Sequence, residues 1–192
     1  MQFVEVIVRQ AHPGDQDTHY TSLEQKMQDA REYRRQESLP WTVLVDDLEG
    51  TTHQVYGGLS DPAYLIDADG RVAFYHIWTH APTIHTTIEQ LLGQGGRGVV
   101  EGGVDKQPHL LPAIADGWRG LRRGLPQSLI DMDLALPGSG IGTFLGYQLR
   151  SVLAPVALRA EPLPAPARAA LRGAALGATV AVLSLFLRRR WR

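Results

Sequence analysis

The stretch AYLIDADGRVAFYHI, residues 63–77, constrains this chain more than any other. Two apolar runs of about five residues flank Asp69-Gly70, and Asp-Gly between alternating hydrophobics is a strong short-range signal for a β-hairpin. Ahead of it, Phe3 to Val8 is rich in β-branched residues and reads as a strand. Leu23, Met27, Ala30 and Tyr33 then recur at helical spacing, and Thr21 with Glu24 fits a capping box. Pro40 follows that helix. WTVLVDD, residues 41–47, is a short apolar run of the kind found in parallel strands covered on both faces. A short helix around His53 to Tyr56 ends at Gly57-Gly58, and residues 82–92 close the unit as a helix with Ile84, Ile88, Leu91 and Leu92 on one face. The order β-α-β-α-β-β-α predicts an α/β domain over residues 1–92.

Beyond residue 92 the texture changes. Residues 93–108 hold GQGGRGVVEGG and read as a Gly-rich flexible linker. Residues 109–166 show helical apolar spacing broken by Gly and Pro, with Trp118, Leu121, Leu125 and Leu129 as expected contact residues and a Pro-rich spacer at 161–167. Charge divides at the same place: residues 1–92 carry six Lys and Arg against fourteen Asp and Glu, and residues 93–192 carry thirteen against six. Gly173 to Leu187 is free of charge and is followed by Arg188 to Arg190, Trp191 and Arg192. Fifteen apolar and small residues fall short of the roughly 20 needed to span a bilayer. Flanking arginines and a tryptophan suit the headgroup region, so residues 167–192 are expected to contact a membrane as an anchor or interfacial helix. The chain opens on a strand rather than a signal peptide, which points to a cytoplasmic or membrane-associated location.

With no cysteine in the sequence, disulfides, thiolate metal sites and cysteine nucleophiles are excluded. The acidic N-terminal half, and a basic tail without interleaved aromatics, argue against nucleic acid. His76, His80 and His85 raise the question of zinc. Asp69 and Glu89, the nearest carboxylates in sequence, lack ligand spacing, so the expectation is no metal and ordinary surface histidines. Asp46, Asp47 and Glu49 read as a solvated strand end.

SDPAYLIDADGRVAFY resembles the second half of a thioredoxin-like redoxin domain, where a proline before a buried strand follows a cis peptide bond beside the active site; Pro62 is the matching residue. VIVRQAHPGD resembles the segment of iodothyronine deiodinases in which a strand ends in Glu-Ala-His with an Asp shortly after. Ala11, His12, Pro13 and Asp15 fit, and Gln10 stands where the family has glutamate. HYTSLEQKMQDAREY is similar to the deiodinase helix, with His19 near a second histidine of the family. The likeness covers residues 1–92. It implies an incomplete thioredoxin-like fold and a redox family, acting by reductive dehalogenation or thiol-dependent oxidoreduction on a small aromatic or peroxide substrate with a thiol reductant and no cofactor. His12 would be the proton donor and partner of the nucleophile, because histidine titrates in the useful range and a cation stabilises a chalcogenide. His19 would be a weaker second. Gln10, Asp15 and Pro62 would frame the site.

In the family the cysteine or selenocysteine follows a central strand, and both precede the segment where this sequence starts. The resemblance thus implies an inactive chain, a strand lacking between Phe3 to Val8 and Ala63 to Asp67, and a natural start upstream of Met1. The competing expectation is a non-catalytic thioredoxin-like binding module tethered to a membrane.

Overall fold

The computed structural model describes residues 1–10, 19–59, 61–105, 109–167 and 169–170. The order of elements through residue 93 follows the sequence pattern. Strand β1 (Val4–Ile7) lies parallel to β2 (Thr42–Val45), with Val4 opposite Thr42 and Ile7 opposite Val45. A parallel pair needs a crossover, and helix α1 (Leu23–Gln36) supplies it. After the short helix α2 (Thr51–Val55), β3 (Ala63–Ile66) and β4 (Val72–His76) form the antiparallel hairpin. Asp67 builds its turn: Oδ1 accepts from the backbone N–H groups of Asp69 and Arg71, and Gly70 takes the left-handed φ of 78° that a side chain would resist. Helix α3 (Ala81–Gly93) then crosses over to β5 (Val104–Asp105), which pairs in parallel with the end of β4.

The helix α1 differs from expectation in two ways. Ser22, not Thr21, is its N-cap and accepts from the Gln25 N–H, while the Gln25 side chain reaches back to the Thr21 N–H, so the reciprocal capping pattern stands one residue later. Its inward face is Lys26 and Ala30, whereas Leu23 and Met27 are exposed. Lys26 is able to face inward because its aliphatic stem packs while Nζ donates to the carbonyl oxygens of Asp46 (3.0 Å) and Asp47 (3.1 Å). Asp46 is correspondingly not a solvated strand end. It is buried, and its carboxylate accepts from the Thr52 and His53 N–H groups at the start of α2. Burial pushes its pKa up, but these donors outweigh burial and hold it below the usual carboxylate range.

Within residues 93–105, part of the segment expected as a linker, contacts with the hairpin are present. Val100 is buried beside Ala73, Phe74 and Leu91, forming the main core with Leu65 against it. Gly98 N–H donates to Asp67 Oδ2, and Ala68 N–H donates to the Gly96 carbonyl, stitching this segment to the hairpin turn. Polar and glycine-rich sequence hid the role because one valine and backbone hydrogen bonds do the anchoring. On α3, Thr87 and Leu91 face the core and Leu92 is exposed.

The C-terminal half folds as α4 (Leu110–Asp116), α5 (Trp118–Leu121), a 3-10 turn at Arg122–Gly124, α6 (Gln127–Ala135), α7 (Ser139–Gln148) and α8 (Arg150–Ala157). Helix α4 packs on α7 and α8. Gly146 permits the first contact, since a Cβ there would sit 2.3 Å from the Ile114 carbonyl oxygen. Trp118 meets Phe144 edge to face at 5.0 Å. Arg119 ties the helices back to the end of α1 through Glu37 at 3.1 Å. Among the described residues no helix is long and apolar enough to cross a membrane, and Gly173 to Leu187 lies outside them.

Among the described residues the strands fall into two sheets, ordered β1-β2 and β3-β4-β5. One edge of β1 and one edge of β3 therefore carry no ladder. The two strands are nonetheless near enough for the charge of Glu5 on β1 to act on Asp61, just before β3.

Candidate functional site

The densest group of chemically capable side chains lies where β4, β5, α3 and α4 meet. Alternate residues of a strand share a face, so His76 at the end of β4 follows Phe74 inward, and it has no exposed surface. This departs from the expected surface histidine. His80 is the N-cap residue of α3, and His109 is the N-cap residue of α4. Asp105 closes β5, opposite His76 in the parallel register.

These groups touch. The rings of His80 and His109 stack at 3.7 Å with their planes 4° apart, and the His76 ring meets His109 at 5.2 Å, tilted 70°. His76 Nε2 lies 3.4 Å from Asp105 Oδ2, and His109 Nε2 lies 3.8 Å from the same oxygen. One nitrogen from each histidine falls within 4.8 Å of the others. Trp78 N–H donates to His76 Nδ1 at 3.2 Å, which in the neutral ring leaves the proton on Nε2, facing Asp105. His80 Nδ1 is 2.9 Å from Thr83 Oγ1, leaving its Nε2 for another partner.

The cluster is poor in hydrogen bonds for its burial. Among the described residues, neither His76 Nε2 nor His109 Nε2 has a hydrogen-bond partner of good geometry. Each buried unsatisfied group costs about 1–3 kcal/mol. Burial lowers the His76 pKa, opposed by Asp105 and reinforced by His109. His80 is lowered to about 4, by burial first and then by its electrostatic interaction with His109 and Arg159. Both rings are neutral at pH 7, the form in which imidazole accepts a proton or binds a metal.

Beside the cluster is an open cavity of about 420 Å³. Its wall includes Trp78 and Thr79, the loop between His76 and His80, with Tyr33, Asp61, Arg119 and Leu158 around it. Tyr33 is pushed up to about 12 by burial and by Glu5, to which its hydroxyl donates.

The residues expected from sequence are distributed differently. Gln10 is partly buried just beyond β1, and His19 is exposed ahead of α1. His12 and Asp15 lie outside the described residues. Pro62 is partly buried at the entrance to β3, but the bond before it is trans: the cis bond among the described residues is Leu125–Pro126. The Asp61 carbonyl accepts from both N–H and Oγ1 of Thr79, which clamps the Pro62 segment to the loop leading into His80. A trans bond suffices for this clamp, since it uses a carbonyl and no special turn. His85 belongs to the surface, 3.3 Å from Glu89 on the next turn of α3.

Sequence reasoning missed His109 and Asp105. They stand 33 and 29 residues after His76, with no local spacing to join them, and only the β4–β5 pairing brings them near. The signal available was small: a β-branched residue and an acid after glycines, then a histidine opening an apolar helix.

Comparison with known proteins returned no matching family model, no matching curated protein and no matching solved structure.

Proposed function

We propose that the chain belongs to a redox family, thioredoxin-like in plan and deiodinase-like in its N-terminal motif, and that it holds the frame of a redox site without the nucleophile. What supports this reading is the divided sheet. In the order β-α-β-α-β-β-α, among the described residues β1 and β3 each keep an unpaired edge, and their apolar residues are largely half-buried or exposed. One further strand between them would pair both edges. In the family that strand leads to the cysteine or selenocysteine.

The chemistry then has defined parts. A thiolate or selenolate takes iodine from the aromatic carbon, the C–I electron pair stays on carbon, and a proton donor completes the C–H bond; a thiol afterwards reduces the sulfenyl or selenenyl iodide and releases iodide. His12 is the proposed donor, with His19 secondary and Gln10, Asp15 and Pro62 framing the site. Gln10 cannot ionise, so a relay through a carboxylate at that position is absent. Peroxide reduction would need the same nucleophile.

The divided sheet also favours a second reading, a non-catalytic scaffold offering the β1 and β3 edges to a partner strand and tethered to a membrane by residues 173–187. Two measurements test the pair. With dithiothreitol as reductant, the 192-residue chain should release no iodide from an iodophenol and consume no peroxide beyond a protein-free control. Hydrogen exchange should be fast at the outer-edge amides of β1 and β3 and slow in β4. Turnover by this cysteine-free chain defeats both readings, and so does equal protection of β1 and β3 through direct pairing.

A further inference from the structure

We infer that His76, His80, His109 and Asp105 bind one divalent transition-metal ion, zinc first, as a clasp joining β4, β5, α3 and α4. The inference stands apart from the redox reading: it uses none of that reading's residues, and no strand need be added to the sheet.

The donor set comes first. Three imidazoles and one carboxylate match the nitrogen and oxygen ligands of zinc, and imidazole is a common ligand for the later first-row divalent ions. Magnesium and calcium prefer all-oxygen shells, which this cluster lacks.

Spacing comes next. Ligand bonds of about 2.0–2.1 Å in a tetrahedron put neighbouring donor atoms roughly 3.3 Å apart. The His76 Nε2 to Asp105 Oδ2 separation is already 3.4 Å and the His109 Nε2 to Asp105 Oδ2 separation 3.8 Å. The three histidine donors lie within 4.8 Å, so closing onto an ion requires at most about 1.5 Å of contraction.

Two features describe the metal-free state and must change. The rings of His80 and His109 lie in parallel planes, and an ion bound in the plane of both requires one of them to turn. His76 receives the Trp78 N–H on Nδ1, so binding through Nε2 displaces the proton now facing Asp105 and releases that long 3.2 Å contact. His76 is accordingly the weakest of the three imidazole ligands. The ion would in return satisfy His76 Nε2 and His109 Nε2, which lack a well-formed hydrogen bond among the described residues.

Four protein ligands close the coordination sphere. A closed site holds elements together instead of presenting water to a substrate. Its position gives it something to hold: His109 and Asp105 bracket the segment that leads from the α/β half into the helical half.

The test is titration of the full, chelator-stripped chain with zinc chloride and, separately, cobalt chloride. Expected are one equivalent of tight zinc binding, the intense visible bands of four-coordinate cobalt, and a higher melting temperature with zinc. In long-range imidazole nitrogen–proton spectra, zinc should shift His76, His80 and His109 and leave His53 and His85 in place. His80→Gln and His109→Gln should each weaken zinc binding at least tenfold, Asp105→Asn should do so by about 10–100-fold, and His85→Gln should leave it unchanged. Absence of stoichiometric binding by the wild-type chain, shifts confined to other histidines, or undiminished affinity in the His80→Gln/His109→Gln double variant overturns the inference. The wild-type spectra decide the question even if a variant fails to fold.

Discussion

The two sheets begin from similar sequence and end in different surroundings. Strands β2 and β4 are both apolar runs of four or five residues, yet Leu44 is 50% exposed whereas Phe74 is 4% exposed. Strand β4 has β3 on one side and β5 on the other, with Leu91 of α3 and Val100 packed into its core cluster. Among the described residues β2 pairs with β1 on one side only, and just past its end Lys26 of α1 donates to the carbonyl oxygens of Asp46 and Asp47. Hydrophobic sequence makes a strand available for burial; long-range partners decide whether burial happens.

The largest expected effect breaks this contrast directly. Phe74→Ala removes a buried ring from the β4 core and should cost about 3–5 kcal/mol, whereas Leu44→Ala on the half-exposed face of β2 should cost no more than about 1.5 kcal/mol. Urea denaturation of the two variants measures the difference. Equal losses would mean that β2 is buried against a partner in solution, and the contrast would disappear.

Acid sharpens the comparison by a smaller amount. His80 in the folded chain titrates at about 4, below its ordinary 6.5. Below pH 6.5 the unfolded chain gains a proton that the folded chain refuses, so this contribution to stability is whole above pH 6.5 and fades as pH falls toward 4. The loss should total about 2–3 kcal/mol at roughly 1.4 kcal/mol per unit, measured with chelator present. Asp46 beside β2 and Asp67 beside β4 both have folded pKa values below 3.8, so their contributions persist through that window and fail only in stronger acid. Unfolding curves at pH 6.5 and pH 4, with exchange read at Phe74 and Val43, check this: a flat stability across the window means that His80 is solvated.

These contrasts show which parts of the molecule local sequence could announce. The hairpin was legible because Asp-Gly fixes a turn within four residues, and the presence of α1, though neither its cap nor its inward face, because helical spacing repeats over several turns. The division of the described strands into two sheets has no local signal, because strand pairing is decided by partners distant in sequence. The histidine cluster was not. His76 and His80 were visible as neighbours, but His85 was grouped with them by spacing alone, and at five residues along α3 it faces Glu89 instead. His109 and Asp105 enter through a two-residue strand after a run of glycines, where neither propensity nor periodicity has enough residues to act. The burial of Lys26 was hidden for another reason: a cation inside a fold is predictable only when its acceptors are known, and those are backbone carbonyls twenty residues away.

The smallest effect tests the local end of this scale, at the start of α1. Ser22 has extended backbone angles and its Oγ accepts the Gln25 N–H at 3.1 Å, while Gln25 Oε1 accepts the Thr21 N–H, also at 3.1 Å. An uncapped helix start leaves amide donors to water, and loss of a serine cap costs about 0.5–2 kcal/mol, typically near 1. Ser22→Ala should therefore destabilise the chain by about 1 kcal/mol, and Ser22→Asp should retain the cap and add a favourable charge at the positive end of the helix. Thr21→Ala, at the position favoured by spacing, removes only an exposed hydroxyl contact to Gln25 and should cost less than about 0.5 kcal/mol. Chemical denaturation of the three variants ranks them. If Thr21→Ala is the more damaging change, the cap lies one residue earlier, at Thr21 with Glu24.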